Sequence, residues 1–146
     1  EAAVRAGIKH IQFAVRPEEE ALAIDEYLKS LKPLPSPHLR RGRLTASIKR
    51  GKDVFAKAGC DSCHSGELHT DLKQHDVGTA EGRDEGKKYD TPTLVELWRT
   101  GPYLCDGRAA TVEEVITKFN QDDKHGETSK LTRKEIRDLV QFLLSL

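Results

Sequence analysis

The sequence of 146 residues contains no methionine and has little aromatic or apolar material. Aromatic residues make up 5% of the chain and hydrophobic residues 36%, so few side chains are available to fill a core, and a large apolar cofactor would help to fill it. No apolar run approaches the roughly 20 residues that a membrane-spanning helix needs. Lysine plus arginine number 24, as do aspartate plus glutamate, and this zero net charge argues against binding nucleic acid through a general basic field.

Apolar periodicity predicts four helices and no strand, so the expected fold class is all-α. The last two helices begin with capping boxes, Thr111 with Glu114 and Thr132 with Glu135. A third helix spans about residues 45–57. Its inner side is formed by Ile48, Gly51, Val54 and Phe55.

The first predicted helix begins at Pro17, a residue suited to a helix start. We expect this helix to bury Ala21, Ile24, Leu28 and Leu31. The segment from Ile24 to Leu31 shares the pattern aliphatic-x-x-aromatic-Leu-x-Ser-Leu with the segment from Leu139 to Leu146. Two unrelated amphipathic helices would also satisfy so short a pattern. The alternating prolines of residues 32–37 favour an extended linker. Such a linker supports the interpretation that the segment from Ile24 to Leu31 is the end of a related domain that precedes the linker.

Cys60-Asp61-Ser62-Cys63-His64 is a C-x-x-C-H pentapeptide, the attachment pattern of c-type haem. Two thiols one helical turn apart can each form a thioether with a vinyl group at the porphyrin edge, and the adjacent imidazole then supplies the proximal iron ligand. A thioredoxin-like redox pair would need a βαβ pattern, and structural zinc would need a second ligand cluster. The sequence contains neither. It therefore predicts one covalent haem held by Cys60 and Cys63, with His64 on the iron.

The residues around this pentapeptide resemble a known family. Gly51-x-x-Val54-Phe55 and Phe142 resemble the crossed terminal helices of class I cytochrome c domains. Further motifs resemble the C-terminal haem domain of bacterial dihaem cytochrome c peroxidases and their MauG relatives, namely Thr70-Asp71, residues 75–79, residues 91–94 and residues 100–107. The resemblance covers about residues 45–146 and implies a class I cytochrome c-like haem domain with long loops.

The resemblance also implies a domain organisation. Residues 1–31 would be the closing helix of a preceding cytochrome-like domain, residues 32–44 a proline-rich linker and residues 45–146 the cytochrome c domain. Because the chain lacks an initiator methionine and a signal peptide, we expect it to be processed or cut from something longer. We expect a periplasmic or otherwise exported bacterial protein, since haem is attached outside the cytoplasm. Its expected partner is a redox protein or another haem domain.

The distal side of the iron departs from the family. Cys105 stands where the family has histidine, and Phe119, which cannot ligate iron, stands where the peroxidases have their distal methionine. We rank His125 first as distal ligand, an open position second and Cys105 third. His125 needs only its neutral imidazole, available above a pKa of about 6.5, whereas Asp106 opposes formation of a Cys105 thiolate. If Cys105 does not ligate iron, it is either an inert turn residue or a partner in an intermolecular disulfide bridge.

The remaining candidates carry weaker signals. The carbonyls of Thr100 and Pro102 match calcium-binding positions of the peroxidases, so calcium is a second candidate cofactor. Trp98 is expected to pack against the haem or the core rather than to relay electrons. For the histidines we expect a loop-fixing hydrogen bond at His75 and surface positions for His10, His38 and His69.

Three functions fit these residues. The first is an electron-transfer haem domain, which requires no acid–base group, within a larger dihaem peroxidase-like or MauG-like protein. The alternative is a peroxide-activating peroxidase or oxidase domain with an open or exchangeable distal site. A third is a sensor that binds a gas or another ligand at an open iron.

Overall fold

Helices dominate the structure and confirm the all-α class. The computed structural model describes residues 2–146. Its α-helices are α1 (Ala2–Ala6), α2 (Glu18–Ser30), α3 (Ala46–Lys57), α4 (Val112–Thr117) and α5 (Arg133–Leu143). A π-helical turn (Gly7–Ile11) follows α1, and short 3₁₀ turns span Cys60–Ser62, Gly82–Asp84 and Leu97–Arg99. None of the described helices combines the length and apolarity needed to cross a membrane.

One pair of short strands was not predicted. Strand β1 (Gln74–His75) pairs antiparallel with β2 (Tyr89–Asp90), so that His75 lies opposite Tyr89. Two residues per strand are too few for an alternating pattern to be visible in the sequence. The pair joins the two ends of a long loop, and it leaves the helical class of the fold unchanged.

The chain forms two compact units, divided between Pro33 and Leu34. The second unit contains the core, which is built where α3 packs against α5. The expected capping boxes at Thr111 and Thr132 are both formed, and the Thr45 hydroxyl caps α3 by accepting from the backbone N–H of Ile48. These caps satisfy N–H groups that the first turn of a helix leaves free.

Gly51 is the point at which α3 and α5 come closest. A Cβ atom added at Gly51 would lie 2.0 Å from the carbonyl oxygen of Asp138 and 2.7 Å from the Cβ of Phe142. Beside this contact, the Arg50 guanidinium donates to both carboxylate oxygens of Asp138, at 2.7 and 2.8 Å. The rings of Phe55 and Phe142 meet edge to face at 5.3 Å between centroids. Only glycine permits this approach.

Residues 34–39 belong to the second unit. The Ser36 hydroxyl is buried and donates to the carbonyl of Leu144, and Leu39 packs against the core. The backbone N–H of Leu34 also donates to the carboxylate of Glu96. The proline pattern predicts the extended backbone of this segment, but not its packing against the domain.

The first unit has almost no core, and the expectation that α2 buries Ile24, Leu28 and Leu31 is wrong. Of the positions expected to be buried, only Ala21 is; the other three are 41–55% exposed. The reason is that α1 packs against α2 through charged groups, with the Arg5 guanidinium donating to the buried carboxylate of Asp25 at 2.6 Å. This polar contact leaves the apolar face of α2 exposed.

Replacing Gly51 by alanine should lower the free energy of unfolding of the haem-loaded protein by about 3 kcal/mol or more, because the new methyl group would overlap backbone atoms of α5. Urea unfolding measures this change. Gly7→Ala is the control, since among the described residues no atom beyond the neighbouring backbone lies within 4 Å of a Cβ at that position. Its effect should stay within about 1 kcal/mol. Equal stabilities for the two variants would contradict the close approach at Gly51.

Candidate metal centre

The two cysteines of the pentapeptide lie on the turn that follows α3. Gly59 adopts a left-handed conformation with φ of 73°, which glycine tolerates without strain, and this conformation starts the 3₁₀ turn Cys60–Ser62. Burial, reinforced by the neighbouring Asp61 carboxylate, raises the pKa of the Cys60 thiol to about 11. A redox-active C-x-x-C pair needs a lowered thiol pKa. The environment of Cys60 therefore argues against a thioredoxin-like site.

His64 is oriented by a hydrogen bond to the main chain. Its Nδ1 lies 3.0 Å from the carbonyl oxygen of His69. A carbonyl oxygen can only accept, so Nδ1 carries the proton and Nε2 keeps its lone pair for a metal ion. Burial lowers the pKa of His64, which favours the neutral ring that a metal ligand requires.

His69 is not the surface residue that was expected. Its ring is half-buried and packs edge-on against Phe55 and Phe142, at centroid distances of 6.2 and 6.5 Å. Its backbone has φ of 50°, which turns the chain so that its carbonyl accepts the proton of His64. No sequence pattern signals this role, because the group involved is a main-chain carbonyl.

His125 faces His64. The two ring centroids are 6.3 Å apart, with an angle of 40° between the ring planes. Two imidazoles on opposite sides of one metal ion need about 6.4 Å, since each metal–nitrogen bond is about 2.0 Å and the nitrogen lies about 1.2 Å from its ring centre. The Nδ1 atom of His125 is buried, and no hydrogen-bond partner for it lies among residues 2–146. Burial and the neighbouring His64 lower the pKa of His125 to about 4, so this ring is also neutral.

The loop that carries His125 is tied to the pentapeptide. The backbone N–H of Glu127 donates to the carbonyl of Ala58 at 2.9 Å. A Cβ atom added at Gly126, where φ is 88°, would lie 3.1 Å from the same carbonyl and 3.4 Å from the Cys60 sulfur. Gly126 therefore allows the loop that carries His125, residues 120–128 (called the distal loop below after the distal-ligand prediction for His125), to lie directly against the turn that bears Cys60.

A second group of ligand-type residues lies beside Cys63. The Cys63 sulfur and side-chain atoms of Asp71 and His75 lie within 4.8 Å of one another. The Nε2 atom of His75 hydrogen-bonds to Asp71 at 2.8 Å, which is the loop-fixing contact expected for His75 and which lowers the pKa of the Asp71 carboxyl. The hydrogen bond between His75 and Asp71 fixes the loop beside Cys63.

The other candidates lie in different places. Cys105 is exposed and shares a hydrogen bond with the Tyr89 hydroxyl, which raises the pKa of Tyr89 to about 12. Thr100 and Pro102 are exposed, and their role in calcium binding stays a prediction. Trp98 is partly buried, with the Arg99 guanidinium 5.9 Å from its ring centroid. Iron ligation by Cys105 likewise stays a prediction.

The residues of the site fit a covalently attached haem. The pentapeptide presents paired thiols, and the His64 imidazole is oriented through its Nδ1 by the carbonyl of His69. A second imidazole, that of His125, stands at the spacing that one metal ion between the two rings would require. A closed structural zinc site needs four converging ligand atoms. Within residues 2–146, one group brings three such atoms together, namely Cys63, Asp71 and His75. The fold and the site define a c-type cytochrome domain.

The chain belongs to the cytochrome c family, since the family model described as cytochrome c matches residues 48–146. Its cofactor is haem c. The chain is 32% identical to the hydrazine synthase subunit gamma of Kuenenia stuttgartiensis, over 82% of this chain and 47% of that protein. It is 34% identical to the methylamine utilization protein MauG of Methylorubrum extorquens, over 69% of this chain and 35% of that protein. It is 31% identical to the cytochrome-c peroxidase IdrP1 of Denitromonas iodatirespirans, over 73% of this chain and 42% of that protein.

Solved structures agree with these relatives. A structure of Kuenenia stuttgartiensis hydrazine synthase superposes with a TM-score of 0.71 and 30% identity, over 82% of this chain and 52% of that one. A MauG-like protein associated with microbial copper homeostasis superposes with a TM-score of 0.66 over 96% and 60%; at 21% identity it supports the fold alone. The resemblance to the peroxidase and MauG family is confirmed, and the chain spans less than half the length of the curated relatives named above.

Denaturing mass spectrometry of protein made with a haem-attachment system should give the chain mass plus one haem, resistant to acid-acetone extraction. Replacing both Cys60 and Cys63 by serine should make the haem extractable, because no thioether can form. Cys105→Ser is the matched control and should keep the haem bound, since Cys105 lies outside the pentapeptide. Haem loss in this control but not in the double variant would contradict the assignment.

Proposed function

We propose that this chain is an electron-transfer haem domain whose iron is ligated by His64 on one side and His125 on the other. The observation that carries the proposal is the pair of facing imidazoles, 6.3 Å apart. Haem c, when bound, supplies an iron that changes between ferric and ferrous states and so carries one electron. The chain contributes the two ligands and their surroundings.

Both ligands are held ready in the neutral form. The carbonyl of His69 orients His64, and burial keeps His125 unprotonated at any pH well above about 4. Two nitrogen ligands leave no iron position open, which suits outer-sphere electron transfer and disfavours direct reaction with peroxide. Because a methionine ligand raises the potential of cytochromes c, this domain should have a lower potential than one with a histidine–methionine pair.

Peroxide activation is the second candidate, favoured by the relatives named as cytochrome-c peroxidases. It would require His125 to leave the iron or never to bind it. The ferric spectrum separates the two functions. A six-coordinate low-spin spectrum that does not respond to peroxide supports electron transfer, and a high-spin spectrum that shifts on adding peroxide supports the alternative.

His125→Ala should convert the ferric protein from low-spin to high-spin, because the variant loses its distal ligand while His64 stays in place. Optical and electron paramagnetic resonance spectra measure the change. His38→Ala is the control, since His38 is exposed and lies outside the centre. An unchanged spectrum in His125→Ala would reject His125 as the ligand and make Cys105→Ser the next variant to examine.

We also propose that the chain is part of a larger dihaem protein, with a further haem domain covering the apolar face of α2. In α5 and the residues after it, the shared pattern buries Leu139, Phe142 and Leu143, whose exposures are 0%, 7% and 6%. The equivalent side chains of α2 are Ile24, Tyr27 and Leu28, with exposures of 41%, 64% and 49%. The side chains of this pattern are thus buried in the core of the second unit, whereas the equivalent side chains of the first unit are exposed.

The local hydrogen bonding of the two helices supports this repeat. The Ser30 hydroxyl donates to the carbonyl of Tyr27 at 2.7 Å, and the Ser145 hydroxyl donates to the carbonyl of Phe142 at 2.6 Å. The two serines occupy equivalent positions of the shared pattern, three residues after an aromatic residue. An exported location belongs to the same proposal, because covalent haem is attached outside the cytoplasm.

The native polypeptide that contains this chain should therefore carry two covalent haems. Its intact mass and its haem absorbance per polypeptide measure the number. Replacing Cys60 and Cys63 by serine in that polypeptide should leave one haem attached, at the preceding domain. A native polypeptide with one haem would contradict the larger arrangement without affecting the assignment of the site described above.

A further inference from the structure

Asn120 is a buried side chain whose polar atoms all serve the distal loop. Its amide nitrogen lies 3.2 Å from the carbonyl of His125, 2.8 Å from the carbonyl of Gly126 and 2.8 Å from the hydroxyl of Thr128. Its amide oxygen accepts from the backbone N–H of His125 at 2.8 Å. The side chain is 5% exposed, so water does not offer these groups an alternative partner.

The loop from 120 to 128 contains no helix or strand, and side chains supply several of the hydrogen bonds to its backbone, including both at His125. The Thr128 hydroxyl continues the network by donating to the carbonyl of Ile116 in α4, at 2.7 Å. The network therefore joins the segment that bears His125 to α4, and α4 packs against α5. Removing the Asn120 amide would leave the backbone N–H and carbonyl of His125 without their partner in a partly buried site.

Other anchors of the loop act on neighbouring residues. The Asp123 carboxylate accepts from the backbone N–H groups of Thr128 and Ser129, both at 2.9 Å. Glu127 is bound to the carbonyl of Ala58. Among the hydrogen bonds of residues 2–146, both that reach the main chain of His125 come from Asn120.

We propose that Asn120 is a positioning residue for the distal ligand: it holds the main chain at His125 so that the imidazole stays opposite His64. This inference rests on the proposed ligation of iron by His125. The Nδ1 atom of the His125 imidazole makes no hydrogen bond to any of the described residues, so the position of the ring depends on the backbone that carries it. A loop freed from Asn120 lets the ligand leave the iron more often, and external ligands then bind faster.

The test measures the rate at which cyanide binds the ferric, haem-loaded protein, together with the high-spin fraction of the spectrum. Asn120→Ala should raise the rate at least about tenfold, equivalent to about 1.4 kcal/mol, and increase the high-spin fraction. Thr128→Val removes one acceptor of the amide and should give a smaller rise. If Asn120→Ala does not fold, Thr128→Val decides the question by the same measurement.

Ser36→Ala is the matched control. Ser36 is equally buried, at 5% exposure, and its hydroxyl bonds to the carbonyl of Leu144, away from the distal loop. This variant should lose stability with an unchanged cyanide rate. A folded Asn120→Ala protein with the wild-type rate and spectrum would overturn the proposal, as would an equal rise in Ser36→Ala.

His125→Ala separates this inference from the function on which it rests. A high-spin His125→Ala protein beside a wild-type-like Asn120→Ala protein rejects the positioning role and keeps the ligand. An unchanged spectrum in His125→Ala rejects both, because the loop would then hold a residue that does not reach the iron.

Discussion

The close approach of α3 and α5 at Gly51 is the constraint on which the haem site depends. The pentapeptide follows the end of α3, and the distal loop precedes the start of α5, so the packing of these two helices sets the separation of the two sides of the site. The hydrogen bond between Glu127 and Ala58 then joins the two segments directly. A side chain at position 51 would move both sides relative to each other.

Burial acts in one direction on the titratable groups of the site. It raises the pKa of the Cys60 thiol and lowers the pKa values of His64 and His125, so all three groups favour their uncharged forms. Uncharged ligands in a buried site suit a large apolar cofactor. A chain with only 5% aromatic residues has few large side chains of its own to fill a core, so burial of such a cofactor would stabilise the domain.

Phe119, which cannot ligate iron, lies just before the loop that carries His125. The Arg108 guanidinium lies 5.9 Å and the Lys118 ammonium 4.9 Å from the centroid of the Phe119 ring. Its ring thus serves as a surface for two cations. Under the proposed function, the ligand is supplied instead by the following loop, where Asn120 and Gly126 allow His125 to approach the turn that bears Cys60.

Local features of the sequence determined the haem-binding pentapeptide, the capping boxes at Thr111 and Thr132 and the inner face of α3, because each depends on residues within one or two helical turns. The sequence also indicated His125 as a distal candidate, from the absence of methionine and from the position of His125 shortly after Phe119. The tertiary structure alone decided that His125 faces His64 and that the carbonyl of His69 selects the tautomer of His64. It also decided that the apolar face of α2 is exposed. Burial and such contacts depend on segments far apart in the chain, and no local pattern encodes which segments meet.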